Sequence, residues 1–435
     1  MRENYHRSPR AVALGMPSFT RLHRVATFAF ALAFAFALAL APDVATAQPT
    51  VFSGFTLIDG SGKAPLPDAR LVVENGRITA IGPANRVAIP LDARRVSLDG
   101  QVVIPGLINA HGHVSSLANL GTYAAYGVTT VFSLGDEPAE VFAAREAQKR
   151  GPPPYARVYL AGPVLSPTTP DEARAQVARV AEQKVDIVKI RVDDNLGTTK
   201  KMPPEVWKAV IAEAHARKLR VAVHLYYLDD AKALLAAGAD YIAHSVRDQP
   251  VDAAFVRDLK ARGICYTPTL MREVSTYVYS SVPPFFSDSL FLAHANREWM
   301  ATVSQPARLE ATRTSSSAQT YQRQLPVATR NLKTLFDAGI PIAMGTDTGP
   351  LGRFQGYFEL MELEMMVGAG LTPMQALQSA TQTAARCLQV DRELGTLEAG
   401  KWADFVVLAA SPLEDIHNVR KQRGVYIGGT RIDGR

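Results

Sequence analysis

The strongest constraint on what this chain can fold into is a rhythm. Between Val102 and Val367 short apolar runs alternate with amphipathic stretches of helical period. The apolar runs are Val102–Ile108, Val128–Leu134, Arg157–Ala161, Ile187–Val192, Arg220–Leu225, Tyr241–His244, Ile264–Thr267 and Ile342–Gly345. Between and after them lie Pro138–Lys149, Asp171–Glu182, Pro204–Arg217, Asp229–Ala236, Asp252–Ala261, Val327–Phe336 and Gln355–Val367. Runs of four to eight apolar residues suit strands buried on both faces, and the longer 3.6-periodic stretches suit the crossover helices between parallel strands. Eight strands in about 270 residues match an α/β fold of the (β/α)8 TIM-barrel type, which typically takes ~250 residues. A doubly wound sheet would want a glycine-rich phosphate turn after an early strand, and the chain has none.

Both flanks of this rhythm are β in texture. Phe55–Ile58, Arg70–Glu74, Ile78–Ile81 and Val96–Leu98 are short strand-like runs, with Asn75-Gly76 as a hairpin turn between two of them. Gly395–Leu397, Ala403–Leu408 and Gly424–Gly429 repeat the texture near the other end. The expected division is a small β-sandwich built from residues 48–104 and 390–435 around a barrel of residues 105–389. Residues 271–325, far longer than an ordinary connection, form an insertion or lid on the face where barrel loops surround the active site.

Residues 1–47 read as a targeting signal. Arg21 and Arg24 precede Val25 to Pro42, a run with no charge, and Ala45-Thr46-Ala47 supplies small residues before Gln48. An uncleaved anchor is the competing reading, and cleavage before Gln48 is the expected one. The formal net charge of +6 owes about half to this segment, whose five arginines face only Glu3 and Asp43. The remaining charges are dispersed, without a basic stripe, so nucleic acid is not an expected partner. Any membrane contact would run through the leader if it were retained, and a periplasmic or secreted location is expected. Cys265 and Cys387 form no disulfide framework and read as packing residues, with pairing left open.

Six side chains stand where strands end. His111 and His113 in Asn109-Ala110-His111-Gly112-His113 aim two imidazoles at one place on an extended chain. Lys189 sits within Asp186–Val192; His224 and His244 close their runs; Asp347 follows Gly345-Thr346. Singly, each is compatible with an ordinary polar residue. As an ordered set at the C-terminal ends of strands 1, 4, 5, 6 and 8 they point to a metal site.

At this point the chain resembles the amidohydrolase superfamily, in its imidazolonepropionase-like and prolidase-like branch. The motifs that carry it are Thr56–Gly62, Val103–His113, Gly345-Thr346-Asp347 and Gly395–Asp404, and the similarity runs from Phe55 to about Gly429. The resemblance implies a binuclear centre: His111, His113 and Asp347 on one ion, His224 and His244 on the other, with Lys189, carboxylated by carbon dioxide, bridging them. One departure concerns the pocket. Prolidase-like relatives follow the strand-5 histidine with Ala-His-Gly, and this chain has Leu225-Tyr226-Tyr227.

Two Zn2+ ions per chain are the first expectation from nitrogen ligands with oxygen bridges, other divalent ions being the alternative. Asp347 would serve as general base and then acid. Arg191, Tyr226 and Arg247 lie two or three residues past expected ligands and are the candidates for substrate contact. The expected activity is hydrolysis of amide bonds in small substrates such as dipeptides or N-acyl amino acids. Ester or lactone hydrolysis at the same centre is the runner-up, and a non-catalytic binding protein a distant third; a homo-oligomer is compatible with either enzyme. The leader reading has a direct check: intact-mass analysis of exported protein should find Gln48 at or near the N-terminus, and a retained leader on membrane-bound protein contradicts it.

Overall fold

The computed structural model describes residues 48–432; the expected leader at residues 1–47 lies outside the described residues. The chain enters with β1 (Thr50–Leu57), β2 (Leu66–Glu74), β3 (Arg77–Pro83), β4 (Arg94–Ser97) and β5 (Val102–Pro105). β2 and β3 form the expected hairpin, with Asn75 and Gly76 both at positive φ (51° and 80°), as a tight turn between twisted strands requires.

The run expected as one strand, Val102–Ile108, is two. It breaks at Pro105-Gly106, and β6 (Leu107–Gly112) enters a different, parallel sheet. Proline offers no N–H to continue a ladder. The Gly106 N–H turns to Asp404 O at 2.9 Å, and the Leu107 N–H to Gly127 O at 3.0 Å. A side chain at Gly106 would put its Cβ 2.0 Å from Thr129 Oγ1, so the crossing between sheets needs glycine.

β6, β7 (Val128–Ser133) and β8 (Arg157–Leu160) make one parallel sheet. β9 (Val188–Arg191), β10 (Val221–His224), β11 (Tyr241–Ala243) and β12 (Cys265–Thr267) make a second. Parallel bridges Leu165–Ile190, Tyr266–Ile342 and Gly112–Thr348 lie at their edges. The segment expected as the eighth strand, Ile342–Gly345, forms no regular ladder, yet its backbone reaches both neighbours. Ala343 N donates to Tyr266 O at 3.0 Å and Ala110 N to Met344 O at 2.8 Å. That approach is close enough that a Cβ on Gly345 would lie 2.8 Å from the His111 nitrogen.

Helices connect the strands and bury one face each. Pro204–Ala216 starts with proline in its first turn and buries Val206, Trp207, Val210, Ile211 and Ala214, spacings of one helical stripe. Leu228–Ala237 and Ala253–Arg262 both stop on a left-handed glycine, Gly238 and Gly263. The 271–325 insertion is mostly short helices. The helix expected from Val327 in fact begins at Ser316 and runs to Asp337 through Pro326, its start capped by the Ser315 hydroxyl, which accepts from Ala318 N. The polar run Ser315–Ser317 thus opens a helix, with Ser315 as its cap.

The chain ends in β13 (Phe405–Leu408), β14 (Gln422–Ile427) and β15 (Thr430–Arg431). β13 pairs antiparallel with β5, so both ends of the described chain join in one mixed sheet of order β15-β14-β13-β5-β1-β2-β3, with β4 also on β1. Phe52, Phe405 and Tyr426 pack its core, the last two rings stacked at 4.5 Å. No helix among the described residues is long and apolar enough to cross a membrane.

The cysteines are a disulfide, not two separate packing residues. Cys265, the first residue of β12, is bonded to Cys387 in the helix Gln382–Leu388, with Cα atoms 5.8 Å apart. Arg220, just before β10, donates to Cys387 O at 2.7 Å. This helix therefore packs under the strand starts, and Ala384, Ala385 and Leu388 share a core with Ala110, Phe132, Ala222, Tyr241 and Ala343. Oxidised protein denatured without reductant should show no titratable thiol. Cys265→Ala with Cys387→Ala should lose about 2–4 kcal/mol in denaturant unfolding, given the long loop the bond closes; unchanged stability contradicts a structural role.

Candidate metal centre

The six expected side chains come to one place from parallel strands and from the segments that directly follow strands or bridges. His111 lies in β6 and His113 just beyond it; Lys189 lies in β9, His224 ends β10, His244 follows β11 and Asp347 follows the Tyr266–Ile342 bridge. All six line one cavity of ≈ 400 Å³, together with Arg191, Arg272 and Arg353. Asp347 Oδ1 is 2.9 Å from His113 Nε2 and 3.4 Å from His111 Nε2. Lys189 Nζ is 3.3 Å from the same His111 nitrogen. The His244 ring sits between the other two, 4.5 Å from His111 and 4.2 Å from His224 by ring centroids.

Burial decides the protonation states. Desolvation, with Lys189 nearby, holds His111 well below an ordinary imidazole; burial and the neighbouring histidines do the same to His244. Burial brings His224 down to about 3. All three imidazoles are neutral at neutral pH, the state that donates a lone pair. Burial also lowers Lys189 to about 7, so a large share of its amine is uncharged there. Burial alone would raise Asp347, but the Arg353 guanidinium and His113 outweigh it and keep the carboxyl well below its ordinary range.

Surrounding groups fix these side chains. Glu359, fully buried, accepts from Asn109 Nδ2 at 2.5 Å and from the Thr346 and Thr348 hydroxyls at 2.6 Å each. This ties the segment carrying His111 to the one carrying Asp347. Asp193 accepts from His224 Nε2 at 2.9 Å, and Thr269 Oγ1 lies 2.8 Å from His244 Nδ1. His244 and Asp347 have positive φ, 110° and 59°. Such a backbone is costly for a histidine and persists where its surroundings impose it.

The substrate candidates separate. Arg191 lines the cavity, but its Nη2 already donates to Asp193 (3.3 Å) and to Asn195. Tyr226 and Arg247, expected on the substrate side, do not line it. Both are buried; Arg247 lies over the Tyr226 ring at 4.6 Å, and Tyr226 donates to Gln324. β10 ends at His224, so period-two alternation no longer governs Tyr226. Conversely, sequence reasoning missed Asp193, Arg272 and Arg353. Asp193, like Tyr226, lies two residues past the end of its strand, where alternation gives no signal. The two arginines lie in connecting segments whose sequence carries no period.

The amidohydrolase family profile matches residues 102–432. The chain belongs to the amidohydrolase family. An ochratoxinase of Aspergillus niger is 28% identical over 287 residues, which are 63% of this chain and 52% of that protein; the chain thus spans about half the length of that relative. An imidazolonepropionase of Rhodococcus jostii is 25% identical over 404 residues, 84% of this chain and 89% of its own. Among solved structures, a candidate prolidase of Bifidobacterium longum superposes with a TM-score of 0.73 at 26% identity, covering 89% of this chain and 95% of that one. Within the family the chain falls in the imidazolonepropionase-like and prolidase-like branch.

The donor set suits a metal. His111, His113 and Asp347 offer ligand atoms all within 4.8 Å of one another. His244 commits Nδ1 to Thr269 and leaves Nε2 buried with no hydrogen-bond partner, its lone pair free for a cation. The Asp193 contact is testable on its own. Asp193→Ala strips a buried partner from His224 and should lower stability of metal-free protein by about 1.5–3 kcal/mol in urea; an unchanged midpoint would show that the contact does not hold the imidazole.

Proposed function

We propose that the protein is an exported metal-dependent hydrolase of carbon–nitrogen bonds, with two metal ions, cleaving the amide bond of dipeptides or N-acyl amino acids. One observation carries this reading: four imidazoles, a lysine at about 7 and an ionised carboxylate line a single cavity at the ends of parallel strands. His111, His113 and Asp347 would hold one ion and His224 and His244 the other, with zinc as first choice. The edge bridges between the two parallel sheets support a closed (β/α)8 barrel, and the mixed sheet from both chain ends supports a small β-sandwich beside it. The family membership and the names of the relatives, imidazolonepropionase and candidate prolidase, are in keeping with hydrolysis at a carbon–nitrogen bond.

Metal ions bound there would supply Lewis acidity toward the carbonyl and lower the pKa of the attacking water. The chain's own groups do the rest. Asp347, held ionised by Arg353, takes a proton from the water at a carboxylate oxygen and returns it to the leaving nitrogen. The neutral Nζ of Lys189 can bond to the carbon of carbon dioxide and release one proton to solvent. The resulting carbamate is an anion with two oxygens, where an ammonium would repel any neighbouring cation. Export is supported by the basic, apolar, small-residue order of the leader and by the Cys265–Cys387 bond, which favours an oxidising compartment.

Lys189 gives the sharpest test. Lys189→Ala should lose metal and nearly all activity, and short carboxylic acids added to it should restore part of both. Lys189→Arg should stay inactive, because a guanidinium keeps its charge and forms no carbamate. Metal analysis with turnover of an N-acyl amino acid panel reads the outcome; full activity with two metals in either variant ends the bridged reading.

A further inference from the structure

The arginines around the cavity are not balanced by carboxylates. Arg272 and Arg247 have side chains 8% and 0% exposed, and both lean on one buried carboxylate, Glu273. Arg272 Nη1 is 3.1 Å from one Glu273 oxygen; Arg247 Nε is 3.0 Å from the other, close enough for an ion pair though not aligned as a hydrogen bond. Two guanidiniums and one carboxylate leave a buried excess of one positive charge, which is costly without a counter-ion.

Nothing nearby among the described residues supplies that counter-ion. Tyr321 lies under Arg272 at 4.6 Å and Tyr226 under Arg247 at 4.6 Å, which softens the charges without neutralising them. Glu362 spends its two carboxylate oxygens on Leu270 N and Met271 N, 2.8 Å and 2.7 Å away, and not on either arginine. Asp347 is engaged with His113 and with Arg353. Arg272 lines the cavity wall, and its buried Nε has no hydrogen-bond partner. Arg353 lines the same wall and donates through Nε to Ser275 Oγ at 3.1 Å; that hydroxyl in turn donates to Arg272 O at 2.6 Å. Arg191 differs: it is 42% exposed, with its charge already met by Asp193.

We propose that Arg272, with Arg353 beside it, is the seat for the free carboxylate of the substrate, so that the enzyme selects N-acyl amino acids or dipeptides with an unblocked C-terminus. The inference rests on the amide-hydrolase reading and deepens it. A substrate carboxylate entering between these guanidiniums supplies the missing negative charge within a desolvated wall, where a charge-assisted bond is strongest. A carboxamide of the same shape brings no charge and leaves the excess in place.

The test uses a panel of N-acetyl-L-amino acids, each paired with its C-terminal carboxamide, on the zinc-loaded wild type, Arg272→Met and Arg272→Lys. The preference within each pair is read as kcat/KM where there is turnover and as Kd by calorimetry where there is none. A failure of amide hydrolysis is thereby separated from a failure of the carboxylate seat. At least one wild-type pair should favour the carboxylate by about tenfold or more. Arg272→Met should erase that preference, mainly through KM, with carboxamides changed less than about twofold; Arg272→Lys should keep part of it. Should Arg272→Met fail to fold, a reduced preference in Arg272→Lys supports the seat and an undiminished one overturns it. A wild type indifferent to the carboxylate overturns the proposal. So does an undiminished preference in folded Arg272→Met, since a carboxylate held by the metals alone would behave that way.

Discussion

Removal of water from one small volume at the strand ends is the constraint on which the rest of the structure depends. Desolvation keeps His111, His224 and His244 neutral and brings Lys189 within reach of neutrality, while Arg353 and His113 hold Asp347 ionised against the same pressure. An exposed cluster of the same residues would bind protons at mildly acid pH and carry a permanently charged lysine. Burial therefore turns an ordinary list of polar side chains into a set of lone pairs with one fixed negative charge. The cost of that burial is met locally by the Glu359 hydrogen bonds and the Asp193–His224 contact, in the same few segments that also carry the strained positive φ of His244 and Asp347.

Much of this was legible in the sequence, for a physical reason. Parallel strands buried on both faces leave continuous apolar runs, and their covering helices leave a 3.6 period, so the alternation from Leu107 onward could be read directly. Groups at strand ends could be read with it, and His111, His113, Lys189, His224, His244 and Asp347 do line one cavity. What lay outside the periodic segments was not legible. Tyr226 and Arg247 were placed by counting past the ends of strands, where alternation has stopped. The helical stretch expected from Val327 belongs to a helix that starts at Ser316 and passes through Pro326. Cys265 and Cys387 stand 122 residues apart, and only the fold brings the first residue of β12 against the helix beneath the strands. Apolar character alone could not show that Val102–Ile108 serves two sheets.

The division of labour between strands and connections is also physical. The strands, locked by ladders and a close-packed core, hold His111, Lys189 and His224 and lead directly into His113 and His244. The segment after β12 brings Arg272 to the wall, with Glu273 and, from the long helix beyond, Tyr321 packed on its guanidinium, and the segment after Asp347 brings Arg353. Chemistry and selectivity can thus change independently, since a substitution in a connection leaves the ladders intact. The same holds for the departure at Leu225-Tyr226-Tyr227: Leu225 O accepts from Arg247 at 3.1 Å and the Tyr226 ring lies under its guanidinium, so these two help set where the buried positive charge sits.

The most direct test of the central claim is anomalous diffraction from crystals of the zinc-loaded protein at the zinc absorption edge. The account predicts two peaks in the cavity, one among His111, His113 and Asp347 and one beside His224 and His244, with density for a carboxyl group on Lys189 Nζ between them. A single peak with an unmodified Lys189, or zinc bound only outside this cavity, would contradict it.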